Sequence, residues 1–252
     1  MSNWQHGRLF DLPASARSIE RRAWDCLEQC RERLRIECMP TLVPVERCIE
    51  VGLGITFGVC DLSHLGHDVL GAAFIEDREI QIDEKVLANE GRFRFTCAHE
   101  LGHMILHNDQ RHILRDQGRD ALERNSEQER QADQFAASFL MPIPLFEQGL
   151  LRICEDRGLQ YVDVLPDIMV ESPSSNLLWT DLFLPEITTR FAVSFSAALI
   201  RCCELRVSIH RFEPLLPRPR MKRLWSMIAN TQRNNASGSA EAKKTNQLML
   251  FD

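Results

Sequence analysis

The chain has 252 residues, 44% of them hydrophobic, and carries 36 Asp+Glu against 30 Lys+Arg for a net charge of −6. That is enough apolar material to bury a core as one large or two modest domains, yet no continuous apolar run is long enough to cross a bilayer. The opening Met1-Ser-Asn-Trp-Gln-His lacks the charged and apolar regions of a signal peptide, and nine cysteines are scattered without a CxxC pair, so the expectation is a cytoplasmic protein with neither a membrane span nor a disulfide framework.

Residues 1–16 read as irregular. From about Arg17 to Arg35, Ile19, Ala23, Leu27, Cys30 and Leu34 recur at helical spacing and predict an amphipathic helix, with Cys26 and Cys30 as packed or surface thiols. Pro44 opens a short helix over Val45 to Val51 that closes near Gly52, and Ile55 to Cys60 reads as a strand. Gly71 to Ile75 and Arg78 to Asp83 read as a hairpin about Glu76-Asp77, with Ile80 and Ile82 on one face. Its exposed edge either accepts an extended peptide as a further strand or is an ordinary sheet edge.

Phe95, Ala98, Gly102 and Ile105 mark the inner stripe of a helix from about Gly91 to His107, and within it lies His99-Glu100-Leu101-Gly102-His103. At 3.6 residues per turn His99 and His103 stack on one face, close enough for both imidazoles to reach one ion, while Glu100 is rotated by about 100°. In zinc hydrolases that rotation sets the carboxylate beside the ion as a base and outside the ligand shell. The chain holds eight histidines, so the bare pattern is suggestive and its context must decide. A core-packed helix, which holds its side chains more firmly than a loop, is the context such a site requires.

A third ligand is sought in the next helical segment, Ser126 to Pro142, whose apolar stripe is Ala132, Phe135, Ala136, Phe139 and Leu140. Glu129 and Asp133 fall on the flank of that stripe, pointing toward the packed side, where buried carboxylates need partners. A metal supplies one for Glu129, and the second N–H of a ligating histidine supplies one for Asp133. The competing reading is a capping box, in which Glu129 bonds back to the Ser126 amide; it accounts for neither Asp133 nor the preceding motif. His107 lies eight residues, about 12 Å of helix rise, from His99, too far to share a tetrahedral ion, and reads as a packed histidine or one behind a ligand. His112 reads as a solvated loop residue.

The pairing of Phe95-Thr-Cys-Ala-His99-Glu-Leu-Gly-His103-Met-Ile-Leu-His107 with Glu129-Arg-Gln-Ala132-Asp133-Gln-Phe135-Ala-Ala-Ser-Phe139-Leu-Met-Pro142 resembles the ImmA/IrrE family of zinc metallopeptidases. Weaker matching pieces, Val43-Pro44-Val45 and Ile80-Gln-Ile82, extend the resemblance over roughly residues 17 to 150. Gln131 stands where the family often has Glu, and Asp133 where Asn is frequent. The resemblance implies an α+β fold. A zincin-like metallopeptidase domain with a small mixed or antiparallel sheet and an active-site helix would span 17–165, a helix-turn-helix-like subdomain 166–229, and a disordered tail 230–252. It also implies Zn2+ on His99, His103 and Glu129, Asp133 behind them, Glu100 as general base, and a transcriptional repressor as the protein substrate. Tyr161 and His210 are candidate donors to the oxyanion that sequence does not rank.

Residues 145 to 165 predict one further helix, and Trp179 to Leu184 an apolar anchor. Pro185 to Leu205 reads as helix, tight turn and helix with Ser194 as N-cap, like the helix pair in relatives of the family. The second helix carries only Arg201 and Glu204 before Arg206, which argues against direct DNA binding and for a packing or substrate-docking role. Residues 166–252 hold 11 Lys+Arg against 8 Asp+Glu, and residues 1–165 hold 19 against 28, a modest asymmetry. Pro214 to Arg223 reads as a basic linker and Asn230 to Lys244 as disordered. The last residues, Gln247-Leu-Met-Leu-Phe251-Asp252, resemble the short peptide by which bacterial proteins dock on the replication sliding clamp; the alternative is a tail folding back on its own domain. Two functions are carried forward: a zinc endopeptidase acting on a partner protein, and a non-catalytic regulatory module that keeps the peptidase fold.

Overall fold

The first helical pattern forms α1 (Ala14–Leu34), which buries Ile19, Ala23, Cys26, Leu27 and Cys30 along one stripe together with Glu20. In this computed structural model residue 12 and residues 14–108, 119–169 and 178–209 are described. The readings made for residues 1–11, His112, His210, the basic linker 214–223, the tail 230–244 and the terminal motif 247–252 lie outside them. The chain divides at His210, and every element named below belongs to the unit before it.

Pro44 precedes α2 (Val45–Arg47), which continues as a π-helical turn over Cys48–Gly52. Three strands follow: β1 (Thr56–Cys60), β2 (Gly71–Phe74) and β3 (Glu79–Asp83). They lie in the order β1-β3-β2, with β1 parallel and β2 antiparallel to β3, so the sheet is mixed. The hairpin is confirmed, and Ile80 and Ile82 are both fully buried on its inner face. Asp83 ties the long β1–β2 connection to the sheet, accepting from the Leu62 amide at 2.8 Å and the Lys85 amide at 2.9 Å.

A 3-10 turn (Glu84–Ala88) leads into α3 (Glu90–Leu106), whose N-terminus is capped by the Asn89 side chain accepting from the Arg92 amide at 3.0 Å. Burial on α3 departs from the expected stripe. Arg94, Cys97, Ala98, Leu101, Gly102 and Met104 are buried, whereas Phe95 and Ile105 are only half-buried. The sheet packs on one side of α3 and α4 (Arg119–Leu140) on another, so little of its circumference is free and a single apolar stripe does not describe it. Because α4 begins at Arg119, Ser126 is a mid-helix residue and the capping box has no helix start to cap.

The single helix expected over 145–165 is two helices, α5 (Ile143–Asp156) and α6 (Tyr161–Met169). The break falls at Gly158, whose φ of +65° is the left-handed conformation that ends helices. A π-helical segment (Leu178–Phe183) buries Trp179 and Phe183 as the expected anchor, and leads into α7 (Leu184–Phe191). Ala192, at φ 47°, makes the turn, and Ser194 caps α8 (Phe195–Ile209) by accepting from the Ala197 amide at 3.1 Å.

The helix pair is joined to the helices that precede it. A Cβ on Gly91 of α3 would come within 2.7 Å of the Ser194 amide nitrogen, so glycine lets the turn between α7 and α8 abut the start of α3. Arg201 of α8 is 1% exposed and pairs with buried Glu20 of α1; it also donates to the Met141 carbonyl at 3.0 Å and the Ser138 hydroxyl at 3.4 Å. Arg201 is therefore a core residue rather than the surface charge its place in a recognition-like helix suggested. Replacing it leaves Glu20 as an uncompensated buried charge. Arg201→Met should lower stability to denaturant by about 3–5 kcal/mol, and adding Glu20→Leu should recover much of that loss.

Among the described residues, neither the buried Oε1 of half-buried Glu147 on α5 nor the Tyr161 hydroxyl on α6 has a hydrogen-bond partner. Burial pushes the Glu147 carboxyl up to about 7. The ordinary value in an unfolded chain is about 4.3, so ionisation penalises the folded state increasingly as pH rises from there through 7. Glu147→Gln should raise the melting temperature by ~2–4 °C at pH 8 and by far less at pH 4.

Candidate metal centre

Two helices far apart in sequence supply the site. His99 and His103 project from α3, with ring centroids 4.8 Å apart, and Glu129 comes from α4 across the helix–helix contact. Gly102 sets that approach: a Cβ there would lie 3.1 Å from the Ala132 Cα and 3.2 Å from its carbonyl oxygen, closer than side chains normally sit. One turn before Ala132, Glu129 is thereby brought over the histidines.

One ligand atom from each of His99, His103 and Glu129 lies within 4.8 Å of the others. The two Nε2 atoms are 3.1 Å apart, the His99 Nε2 is 3.1 Å from Glu129 Oε2, and the His103 Nε2 is 3.4 Å from Glu129 Oε1. Ligand atoms around a tetrahedral ion with bonds of about 2.0–2.2 Å stand roughly 3.3–3.6 Å apart. These separations lie at or just below that range, so the donor set suits one divalent metal with a small adjustment, and two imidazole nitrogens with one carboxylate are ligands such an ion takes.

Asp133, one turn beyond Glu129, accepts from the far nitrogen of His99, Nδ1 to Oδ1 at 2.9 Å. Burial pulls the His99 pKa down, but the Asp133 hydrogen bond and the charges of Glu100, Asp133 and Glu129 outweigh it, and the net shift is upward. His103 is pushed down to about 4, by burial first and then by His99.

Glu100 is 8% exposed, and burial pushes its carboxyl up to about 7. It sits against the sheet's edge strand: a Cβ on Gly71 of β2 would come within 2.7 Å of Glu100 Oε1 and 2.8 Å of its Cγ. Glycine at this position is what leaves room for the carboxylate, and no sequence signal marked it. Among the described strands none pairs with the outer side of β2. Beside Asp133 a cavity of about 470 Å3 opens between α3, α4 and α8, lined among others by Arg92, Phe95, Ala137 and Ile200.

One expectation needs correction. Glu129 and Asp133 are 60% exposed at the open rim of the site rather than turned into the packed side; the stripe of α4 buries Ala132, Phe135 and Ala136, and its flank is left accessible. Tyr161, offered as an oxyanion donor, lies on α6 beside Glu147 and Cys154, and burial followed by those neighbours pushes its hydroxyl up to about 12. His107 is buried behind His103, with its Nδ1 3.1 Å from the His103 Nδ1. Two further residues that sequence reasoning passed over, Gln131 and Glu127, continue from it.

Among the described residues no single helix is long and apolar enough to cross a membrane. No curated protein matches the chain. A solved structure of a Mycobacterium tuberculosis transcriptional regulator is similar at 13% identity and a TM-score of 0.41, over 76% of this chain and 51% of that one, so this chain spans about half its length. Residues 63–202, more than half of the chain and including all of α3 and α4, match the model of the IrrE N-terminal-like domain. The convergence of an HExxH helix with a downstream acidic helix thus lies within a match that spans both helices, and the chain belongs to the Peptidase_M78 family, a family of metallopeptidase type.

Proposed function

We propose that this protein is a zinc-dependent endopeptidase that hydrolyses a peptide bond in a partner protein, with His99, His103 and Glu129 as metal ligands and Glu100 as general base. The observation that carries the reading is the meeting of three ligand atoms within 4.8 Å beside a buried carboxylate. Zinc, when bound, would supply a Lewis acid that activates water and polarises the peptide carbonyl.

The chain's own residues account for the rest. Asp133 holds His99 with Nδ1 protonated, leaving Nε2 as the donor. Glu100 takes a proton from the attacking water and returns it to the nitrogen of the leaving amine; burial, which disfavours its charge, helps it to carry that proton. An extended peptide adding to the free edge of β2 passes Gly71 and so runs beside Glu100. The cavity beside Asp133 is the seat assigned to substrate side chains. The substrate implied by the family resemblance is a transcriptional repressor, and the compartment is the cytoplasm. A regulatory module that only binds would have no use for a carboxylate buried at Glu100.

Incubation of the zinc-loaded protein with a candidate repressor, read by the masses of the products, tests the reading. Glu100→Gln should bind zinc as wild type does while cleavage falls by at least about 100-fold; turnover retained in that variant would remove Glu100 from the chemistry. Glu129→Gln should lose zinc affinity itself, measured by competition with a chelator. Gly102→Ala should weaken zinc binding as well, because the α4 backbone must retreat by a few tenths of an ångström. A wild-type protein that binds zinc and its partner but never cuts would favour the regulatory module.

A further inference from the structure

Behind His103 runs a line of hydrogen bonds that the hydrolytic reading does not use. His103 Nδ1 is 3.1 Å from His107 Nδ1, His107 Nε2 is 3.1 Å from Gln131 Oε1, and Gln131 Nε2 donates to Glu127 Oε1 at 2.9 Å. Arg130 closes the far end with two donors to Glu127, at 2.6 and 2.8 Å.

The direction of every link follows from the last one. Arg130 donates to both oxygens of Glu127, a paired carboxylate that can only accept. The Gln131 group facing it must be the NH2, which turns the amide oxygen toward His107. That oxygen accepts only, so His107 Nε2 carries a hydrogen. A neutral imidazole has one N–H, and His107 Nδ1 is therefore a lone pair. Facing it, His103 Nδ1 must donate, and the remaining nitrogen of His103, its Nε2, presents a lone pair beside the His99 Nε2 and Glu129.

We infer that His107 and Gln131 are positioning residues: with Glu127 they form a one-way hydrogen-bond chain that fixes the tautomer and ring orientation of His103 and so aims its Nε2 at the metal. The two imidazoles are then held by different devices. Asp133 receives the His99 N–H directly, at 2.9 Å. The Nδ1 of His103 reaches a carboxylate through His107 and Gln131. Both devices come from one helix, since Glu127 with Gln131 and Glu129 with Asp133 are two i,i+4 pairs along α4. Register on α4 sets both at once.

The inference rests on the proposed metal site, and its test separates the two. In the metal-free full-length chain, long-range 15N–1H correlation of the histidine rings should show His107 protonated at Nε2 and His103 at Nδ1. Gln131→Met keeps the size of a half-buried side chain and removes the acceptor. It should keep a single cooperative thermal melt, lose the single His107 tautomer, and weaken zinc binding about 10- to 100-fold in competition with a chelator. The double exchange Glu127→Gln with Gln131→Glu keeps an acceptor against His107 and should restore most of that affinity. A His107 ring protonated at Nδ1, or a Gln131→Met protein that binds zinc as tightly as wild type, overturns the chain while leaving the peptidase reading intact. Wild-type protein with the expected tautomers but no zinc affinity removes the role of aiming at a metal, and the peptidase reading with it.

Discussion

The distance between α3 and α4 is the constraint on which the rest depends. Gly102 lies inside the HExxH motif, and a side chain there would meet the backbone of Ala132. With no Cβ on one helix and a single methyl on the other, the backbones approach closely enough for short ligand side chains to meet. A glutamate spans only a few ångströms, so a wider gap would leave Glu129 short of the imidazoles. The same approach aligns Asp133 with His99 and Gln131 with His107. One small-residue contact thus sets several polar distances together, because the helices move as rigid rods.

Around that contact the site combines an enclosed carboxylate with an open rim. Glu100 is pressed between α3 and the edge strand, where burial raises its proton affinity. Glu129 and Asp133 stand at the mouth, largely exposed. On the proposed peptidase reading, a peptide substrate needs that opening, whereas the general base needs the enclosure. The helix pair formed by α7 and α8 supports the arrangement from outside. Gly91 admits its turn against the start of α3, and Arg201 ties α8 to α1 and to the end of α4. Arg201 of this pair is thus spent inside the core.

How much was legible beforehand differs by residue for physical reasons. His99, Glu100 and His103 follow from helical spacing alone, and Glu129 with Asp133 from a second periodic segment, because each pair sits on one element. The hairpin, the Ser194 cap and the short helix after Pro44 are also local, set by turn residues within a few positions. The stripe on α3 was misplaced, since a helix covered by both a sheet and another helix shows weak periodicity. Gly158 interrupts a run that otherwise reads as continuous apolar helix. Burial of Glu129 was overestimated because the edge of a stripe faces solvent or core according to what packs beside it.

The sequence by itself determined which side chains can share a helix face, hence the two imidazoles, the adjacent carboxylate and the acidic pair one helix later. Helical geometry repeats every 3.6 residues whatever the surroundings, so these relations survive without knowledge of the fold. Only the tertiary structure decided that Glu129 comes within 3.1 Å of His99, that Gly71 makes room for Glu100, and that Gln131 and Glu127 stand behind His107. Those relations reach across about 20 to 30 positions, and a separation of that length leaves no periodic trace. They exist because two backbones lie close together, which local spacing does not encode.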